Sequence, residues 1–261
     1  MEIIGLVPAG GIASRLGKSP CSKEIFPLQI STDEKITVVS ENLIRYFKEA
    51  NISRIYFILR KGKWDIPEYY GDGSSVGVNI GYLIMNLPFG TPFTLDQAYP
   101  FAMDKIVALG FPDILIRPEN AYILLAEKLI GKKSDIVLGL YPVSTCLKWD
   151  MVEFDKNNRL KNIIIKQNRP DLKLGWTNAI WKPVFTEFMH QYLKEFISNN
   201  PDGKIRLPDN SVRELYVGDI IREAIVQGMK VDYVTFGEGF CIDLGTPDDM
   251  RDYLKTQFSR D

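Results

Sequence analysis

A glycine turn followed by spaced cations stands close to the start of the chain. The stretch VPAGGIASRLGKSPCSKEIFPL, residues 7–28, places Gly10 and Gly11 after an apolar run, and Arg15 and Lys23 follow. Glycines let backbone N–H groups approach phosphate oxygens, and the cations can neutralise phosphate charge. The spacing matches neither G-x-G-x-x-G nor G-x-x-x-x-G-K-[ST], which disfavours dinucleotide and Walker-type sites. These residues alone leave a plain strand–loop turn and a phosphate loop equally open.

Two aspartates follow apolar runs at distant points of the chain. Asp113 lies in VALGFPDIL and Asp243 lies in GFCIDLGTPDDM. Ligands of open parallel sheets collect at the carboxyl ends of strands, where two carboxylates can share one hard divalent cation. Mg²⁺ is favoured because it prefers few carboxylates together with substrate phosphates. Each aspartate alone is equally compatible with an ordinary turn.

Alternating strands and amphipathic helices must place these groups. Ile3–Val7 and Ile55–Leu59 are apolar strand-like runs, and a helical stripe through residues 39–47 lies between them. This β-α-β order predicts an α/β fold with a doubly wound, mostly parallel, Rossmann-like sheet. Asn51 is expected to end its helix in left-handed geometry, and Asn120 is expected to cap the helix that follows it. Further strands are predicted at Val78–Met85, Ile106–Leu109, Asp135–Val143, Trp176–Trp181 and Val231–Phe236, and further helices near Thr91 or Thr94, at Ala121–Ile130, around His190, at Asp219–Gln227 and at Pro247–Phe258.

The pattern changes from about residue 145. Two apolar runs, Met151–Phe154 and Leu160–Lys166, flank the polar turn Asp155–Asn158. This arrangement predicts an antiparallel hairpin inserted on the parallel core. The later stretch PDGKIRLPDN, residues 201–210, is predicted to be a loop.

Composition excludes several classes of partner and site. Lys plus Arg number 32 and Asp plus Glu number 33, for a net charge of −1, so no overall field would hold nucleic acid or an anionic membrane. The three cysteines lack C-x-x-C spacing, which argues against a disulfide framework or a zinc site. The chain has no signal-peptide pattern and no 18-residue apolar stretch, so we expect a soluble cytoplasmic protein.

The single histidine limits the catalytic schemes that are available. Any Ser-His-Asp or Cys-His scheme must use His190. His190 falls off the apolar stripe of its predicted helix, so it is interpreted as a solvated residue on the helix face.

Five blocks of the sequence, taken in order, resemble the landmarks of one known family. AGGIASRL…SKEIFPL, GDGSSVGVNIGYLIMNLPFGTP, ALGFPD, MVEFDKNNRLKNIIIK and FCIDLGTPDDM are similar to those of sugar-1-phosphate nucleotidyltransferases, especially glucose-1-phosphate thymidylyltransferases. The resemblance covers nearly the whole chain. It implies transfer of a nucleoside monophosphate from an NTP to a sugar-1-phosphate, with Mg²⁺ as cofactor and pyrophosphate as second product. It also admits a homo-oligomer.

The resemblance implies a domain organisation and a set of site residues. It implies one nucleotidyltransferase domain over residues 1–261, with a nucleotide-binding core at 1–145, a sugar-phosphate-binding part at 146–240, and a metal aspartate and helix at 241–261. The implied residues are Arg15 and Lys23 for catalysis; Ala9, Gly10, Gly11, Ser14, Met85, Asn86 and Gly90 for the nucleotide; Trp149, Asp150, Glu153, Lys166 and Asn178 for the sugar phosphate; and Asp113 and Asp243 for Mg²⁺. Since a phosphate oxygen is already anionic, no general base is needed.

Several positions depart from the family pattern. They are Ile12 and Ala13 in the glycine loop, Pro112 before Asp113, Met85 and Asn86 near a base-reading glutamine, Ile165 for a sugar-binding glutamate, and Trp149 and Asp150 for a Tyr-Gly pair. The changes at Ile165, Trp149 and Asp150 lie where the sugar would bind, so the acceptor stays open. The changes at Met85 and Asn86 leave the nucleobase open. A non-catalytic nucleotide-sugar-binding relative and transfer to a non-sugar phosphate remain as alternatives. A nicotinamide-dependent oxidoreductase is disfavoured because no G-x-G-x-x-G follows the first strand.

Overall fold

The computed structural model describes residues 1–11, 20–28 and 37–258. The strands in this part of the chain are β1 (Ile3–Ala9), β2 (Pro27–Leu28), β3 (Thr37–Val38), β4 (Arg54–Leu59), β5 (Asn79–Ile84), β6 (Ile106–Leu109), β7 (Ile114–Arg117), β8 (Ile136–Pro142), β9 (Asp150–Phe154), β10 (Leu160–Ile165), β11 (Leu174–Trp181), β12 (Lys204–Arg206), β13 (Val212–Glu214), β14 (Val231–Thr235) and β15 (Phe240–Asp243). The helices are α1 (Glu41–Glu49), α2 (Asp65–Tyr70), α3 (Thr91–Asp96), α4 (Tyr99–Ala102), α5 (Ala121–Gly131), α6 (Pro183–Asn199), α7 (Val217–Val226) and α8 (Pro247–Phe258). Short 3₁₀ turns lie at Lys23–Ile25 and Ser74–Val76.

The central sheet of the described residues has nine strands and is mixed. Its main path runs β10-β9-β11-β6-β1-β4-β5, and β8 pairs with β11 and β14. Strands β6, β1, β4 and β5 are parallel to one another, as are β8 and β14, whereas β11 is antiparallel to its neighbours. Strands β9 and β10 form the predicted antiparallel hairpin. The predicted fold class is confirmed.

Helices cover both faces of this sheet. On one face, α1 and α5 bury side chains such as Phe47 and Leu125 against strand residues that include Val7. On the opposite face, α3, α4, α6 and α7 pack against residues that include Leu6 and Leu138. Successive side chains of a strand point to opposite faces, so Leu6 and Val7 of β1 supply both cores. The doubly wound arrangement follows from this apolar alternation.

The backbone confirms one local prediction and corrects two others. Asn51 has a φ of 58°, which confirms its left-handed geometry after α1. The side-chain cap predicted at Asn120 is wrong: the residue has φ −75° and ψ 15°, outside the extended geometry that directs a capping side chain, and it makes no capping hydrogen bond. Residues 201–210, predicted to be a loop, contain β12, which pairs with β13 in a hairpin. The alternation of apolar and polar residues in β12 is too short to reveal a strand. None of the described helices is long and apolar enough to cross a membrane.

His190 is not the solvated residue that its position off the apolar stripe predicts. Its Nδ1 lies 2.9 Å from Asp96 Oδ1, and its ring stacks on Tyr99 with 3.6 Å between centroids. The side chain is only 16% exposed, because α3 and α4 pack against this side of α6. His190 therefore joins three helices.

Candidate active site

A cavity of about 460 Å³ opens at one edge of the central sheet. Gly10 follows the last residue of β1, Arg60 follows β4, and Met85 follows β5, and all three line the cavity. Phe111 and Asp113 follow β6 and line it as well. The carboxyl ends of parallel strands therefore meet there, which is where doubly wound sheets bind their ligands.

The glycine turn lies against the strand end opposite it. A Cβ built at Gly10 would lie 2.5 Å from Met85 Sδ, so the close approach of the two segments requires glycine unless Met85 shifts. Arg60 Nε donates a hydrogen bond of 2.9 Å to the Gly10 carbonyl oxygen, which fixes the turn to β4. Ala9 is fully buried at the end of β1 and does not line the cavity. Ser14 and Arg15 lie outside the described residues.

Asp113 and Asp243 are brought together by a two-stranded ribbon. Strands β7 and β15 pair antiparallel, with Ile114 opposite Asp243. The backbone N–H of Leu244 donates to the Asp113 carbonyl at 2.9 Å, and Asp243 Oδ1 accepts the Gly245 N–H at 2.8 Å. Both aspartates line the cavity.

Lys23 completes the charged end of the cavity. Its ammonium group forms an ion pair with the Asp113 carboxylate. Burial alone lowers the pKa of Lys23, but the carboxylates of Asp113, Glu24 and Asp243 outweigh this effect and raise the pKa above its ordinary value. A cation thus lies beside the two aspartates.

The aspartate pair suits a hard divalent cation whose other ligands come from substrate and water. Among the described residues there is no group of three or more His, Cys, Asp or Glu side chains that could enclose a metal. Mg²⁺ is usually bound by one or two carboxylates and keeps several waters or phosphate oxygens. Asp113 and Asp243 therefore fit Mg²⁺ better than a metal that needs a complete protein cage.

A second set of contacts positions Lys23 and is not apparent from the sequence. Glu24, which is 0% exposed, accepts hydrogen bonds of 2.6 and 2.8 Å from Lys63 Nζ. Burial raises the pKa of Glu24, and the Lys63 ammonium opposes this rise. Ser22 donates its backbone N–H and its hydroxyl to Asp65 at 2.6 and 2.8 Å. These bonds tie the turn that carries Lys23 to α2. The pairings cross about 40 residues of chain, so no local pattern signals them.

The opposite end of the cavity is formed by the open end of the β9–β10 hairpin. Asp150 begins β9 opposite Ile165, and Lys166 follows Ile165 with a φ of 43°. This uncommon geometry for a residue other than glycine takes Lys166 out of the strand. Its Nζ lies 4.1 Å from the centre of the Tyr216 ring, at the start of α7. Trp149, Asp150 and Lys166 all line the cavity.

Gly90 closes the side of the cavity near Met85. It precedes α3 with φ 113° and ψ 171°, a conformation that is almost exclusive to glycine. A Cβ at this position would collide with the Leu215 carbonyl oxygen. The backbone of α3 thereby approaches the segment that leads into α7.

Three other residues predicted from the resemblance do not line the cavity. Asn178 is 2% exposed within β11, where the missing side chain of Gly139 makes room for it. Glu153 lies farther along β9, with its carboxylate 3.9 Å from Arg169. Asn86 is an exposed residue after β5. Alternation along β9 separates Glu153 from Asp150, since residues three apart in a strand point to opposite faces.

Comparison with known proteins assigns the fold. No protein-family profile matches the chain. The low-salt glycan biosynthesis nucleotidyltransferase Agl11 of Haloferax volcanii is 24% identical over 249 residues, which cover 94% of this chain. The chain spans 63% of the length of that curated relative.

Solved structures resemble the chain over nearly all of its length. A Bacillus anthracis protein described as a glucose-1-phosphate thymidylyltransferase, in complex with sucrose, has a TM-score of 0.79 at 17% identity and covers 99% of this chain and 96% of its own. A UDP-glucose pyrophosphorylase complexed with UDP-glucose has a TM-score of 0.76 at 14% identity, with 100% of both chains covered. The UTP-bound UGPase of Acinetobacter baumannii has a TM-score of 0.74 at 14% identity and covers 99% of this chain and 93% of its own. The chain has the fold of the sugar-1-phosphate nucleotidyltransferases.

Proposed function

We propose that this protein is a nucleotidyltransferase that transfers a nucleoside monophosphate from an NTP to a phosphate-bearing acceptor of the sugar-1-phosphate class. The observation that carries the proposal is the convergence of Lys23, Asp113 and Asp243 on one cavity with the Gly10–Gly11 turn, while Lys166 lines the other end. A lysine at each end of the cavity suits a reaction that brings two polyanions together.

The reaction needs positioning more than proton transfer. An oxygen of the acceptor phosphate attacks the α-phosphorus, a new P–O bond forms, and the bond from the α-phosphorus to the bridging oxygen breaks. Pyrophosphate leaves with that electron pair. The attacking oxygen is already anionic, so the cavity needs no general base, and His190 lies outside its lining.

Each end of the cavity has a role in this proposal. The backbone of Gly10 and Gly11, together with Arg15, binds the triphosphate, and Lys23 stabilises charge that spreads over the reacting phosphates. Asp113 and Asp243 would hold Mg²⁺, which neutralises phosphate charge when bound. Met85 and Gly90 face the nucleobase, and Lys166 takes the acceptor phosphate. The described nucleotide-sugar and UTP complexes of the structural neighbours support the same class of ligand.

A pyrophosphate-release assay tests the proposal. Purified protein with Mg²⁺ is assayed with ATP, CTP, GTP, UTP and dTTP against a panel of sugar-1-phosphates and other phosphate monoesters. At least one pair should give pyrophosphate and a nucleoside diphosphate-linked product in equal amounts. Nucleotide or nucleotide-sugar binding without release for every pair would instead support a non-catalytic relative.

Aspartate variants test the assignment of the metal ligands. Asp113→Asn and Asp243→Asn should each abolish turnover while the protein still folds. Asp113→Asn also removes the ion pair with Lys23, so its unfolding temperature should fall below that of wild type. Asp248→Asn is the matched control, since Asp248 is 76% exposed on α8 and, within the described residues, pairs with Arg251 one turn along the same helix. Normal turnover in Asp113→Asn or Asp243→Asn would remove that residue from the metal site.

A further inference from the structure

The acceptor end of the cavity contains a carboxylate whose charge is not matched. Asp150 lines the cavity, and its Oδ1 is buried and accepts no hydrogen bond from the described part of the chain. Burial raises the pKa of Asp150 to about 6, so the group is still mostly ionised at pH 7. The nearby Trp176 indole lowers this pKa in part, but a buried carboxylate oxygen without a hydrogen bond is costly, and proteins usually supply a partner for it.

The charged groups around Asp150 do not supply that partner. Lys166 at the end of β10 attracts it, but the Lys166 ammonium lies over the Tyr216 ring. Arg213 of β13 also attracts it, but its guanidinium donates to both carboxylate oxygens of Asp219 at 2.7 and 2.8 Å. Asp219 of α7 adds a second negative charge that opposes ionisation of Asp150.

The walls beside Asp150 are aromatic. Trp149, Trp176 and Tyr216 line the same end of the cavity. Aromatic rings attract organic cations through their negative faces, and the effect is strongest where water is excluded. Tyr216 already attracts two cations of the protein, Lys166 at 4.1 Å and Arg213 at 5.3 Å. Aromatic walls of this kind therefore add to the attraction that Asp150 has for a cation.

We propose that Asp150 binds a positively charged amino group of the acceptor, so that the acceptor is a phosphate monoester that carries an ammonium group. This inference rests on the proposed function. The acceptor phosphate meets Lys166 and its ammonium group meets Asp150, so a zwitterion leaves neither charge unmatched. A neutral hydroxyl group would give Asp150 one hydrogen bond but would leave its charge uncompensated, whereas an ammonium group supplies both the donor and the charge.

Asp150 is a specificity-determining residue in this proposal. It lies beside Lys166 at the open end of the hairpin, because Ile165 pairs with Asp150 and Lys166 follows it. An acceptor whose phosphate and amino groups are only a few bonds apart can therefore reach both residues. Amino-sugar phosphates and amino-alcohol phosphates share this chemistry, and the experiment distinguishes them.

Matched pairs of acceptors test the proposal. The first pair is glucosamine-1-phosphate and glucose-1-phosphate, and the second is phosphoethanolamine and 2-hydroxyethyl phosphate. Binding is measured by titration calorimetry at pH 7.5 with Mg²⁺ and each α,β-methylene nucleoside triphosphate, and turnover is measured by pyrophosphate release. In at least one pair the amino acceptor should bind about tenfold or more tightly than its neutral partner, as expected for a desolvated charge pair.

Asp150→Asn assigns the preference to the carboxylate. It should remove about tenfold or more of the affinity for the amino acceptor and change that for the neutral partner by less than about threefold, because Asn keeps the shape and loses the charge. The matched control Asp171→Asn alters an exposed loop carboxylate, outside the cavity lining, that pairs with Arg169. It should change neither affinity.

Calorimetry keeps this test separate from the test of activity. If no NTP and acceptor release pyrophosphate, the proposed function fails, while an amino preference that Asp150→Asn removes still supports the binding role of Asp150. Equal binding within both pairs, no binding of either amino acceptor, or equal losses for amino and neutral acceptors in Asp150→Asn would overturn the inference.

Discussion

Leu244 donates its backbone N–H to the carbonyl oxygen of Asp113 across 2.9 Å. This bond continues the β7–β15 ribbon beyond Asp243, the last residue of β15, so the two aspartates stand at the same end of the ribbon. Lys23 reaches that end from a separate turn and pairs with Asp113. The charged end of the cavity thus depends on backbone pairing between segments that are far apart in the chain.

Lys23→Met should lower kcat about 100-fold, which is the usual loss when a group that stabilises transition-state charge is removed. The half-saturating Mg²⁺ concentration should not rise, because the variant no longer places an ammonium group on the Asp113 carboxylate. Initial rates of pyrophosphate release over a Mg²⁺ series measure both quantities. Lys61→Met is the control, since Lys61 is exposed and does not line the cavity. An unchanged kcat in Lys23→Met would contradict the catalytic role.

Lys63→Met should destabilise the protein by about 3 kcal/mol at pH 7, because it leaves the Glu24 carboxylate buried without its cation. Glu24→Gln should cost less than about 1 kcal/mol, because the amide avoids the desolvation penalty that raises the pKa of Glu24. Urea unfolding measures both changes. Lowering the pH should recover part of the loss in Lys63→Met as Glu24 takes up a proton. Equal losses in the two variants would contradict this asymmetry.

Asp150→Asn should increase stability by up to about 3 kcal/mol at pH 7, since each unit of pKa shift corresponds to about 1.4 kcal/mol. The pKa of Asp150 is raised to about 6, so between about pH 4 and pH 6 the folded protein holds a proton that the unfolded chain has lost. The contribution of Asp150 to stability is therefore largest at low pH and falls as the pH rises through this window. Urea unfolding from pH 4 to pH 7.5 should show wild type and variant diverging with pH. Parallel curves would show that Asp150 carries no such cost.

Gly90→Ala should destabilise the protein by about 2 kcal/mol, because alanine is strained in this backbone conformation and its Cβ would meet the Leu215 carbonyl. The variant should also raise the KM for the NTP, since Gly90 lines the cavity. Gly131→Ala is the matched control: apart from the backbone of its own helix, no described atom lies within 4 Å of the added Cβ, and Gly131 has no positive φ. Urea unfolding and NTP saturation curves provide the measurements. An equal effect of both substitutions would refute the argument from conformation.

Local sequence was enough to predict many elements and several site residues. The order of strands and helices predicts the doubly wound sheet, because buried strands appear as short apolar runs and the helices that cover them carry an apolar stripe at helical spacing. The resemblance to sugar nucleotidyltransferases selects Gly10, Lys23, Asp113, Lys166 and Asp243, all of which line the cavity. The division at residues 145 and 240 and the cytoplasmic location stay predictions.

Tertiary structure decided the relations that no short pattern contains. The β7–β15 ribbon places Asp113 next to Asp243, and the Glu24–Lys63 pair supports the turn of Lys23, because both depend on segments that meet only in the folded chain. The sequence pattern places His190 on the surface of α6. In the fold, α3 and α4 pack on α6, and His190 contacts Asp96 and Tyr99 there. The sequence alone marks Asp150 as unusual for its position. Only the fold shows that Asp150 is buried beside aromatic side chains and that Arg213 pairs with Asp219. These two features are the basis for proposing that a ligand supplies the cation.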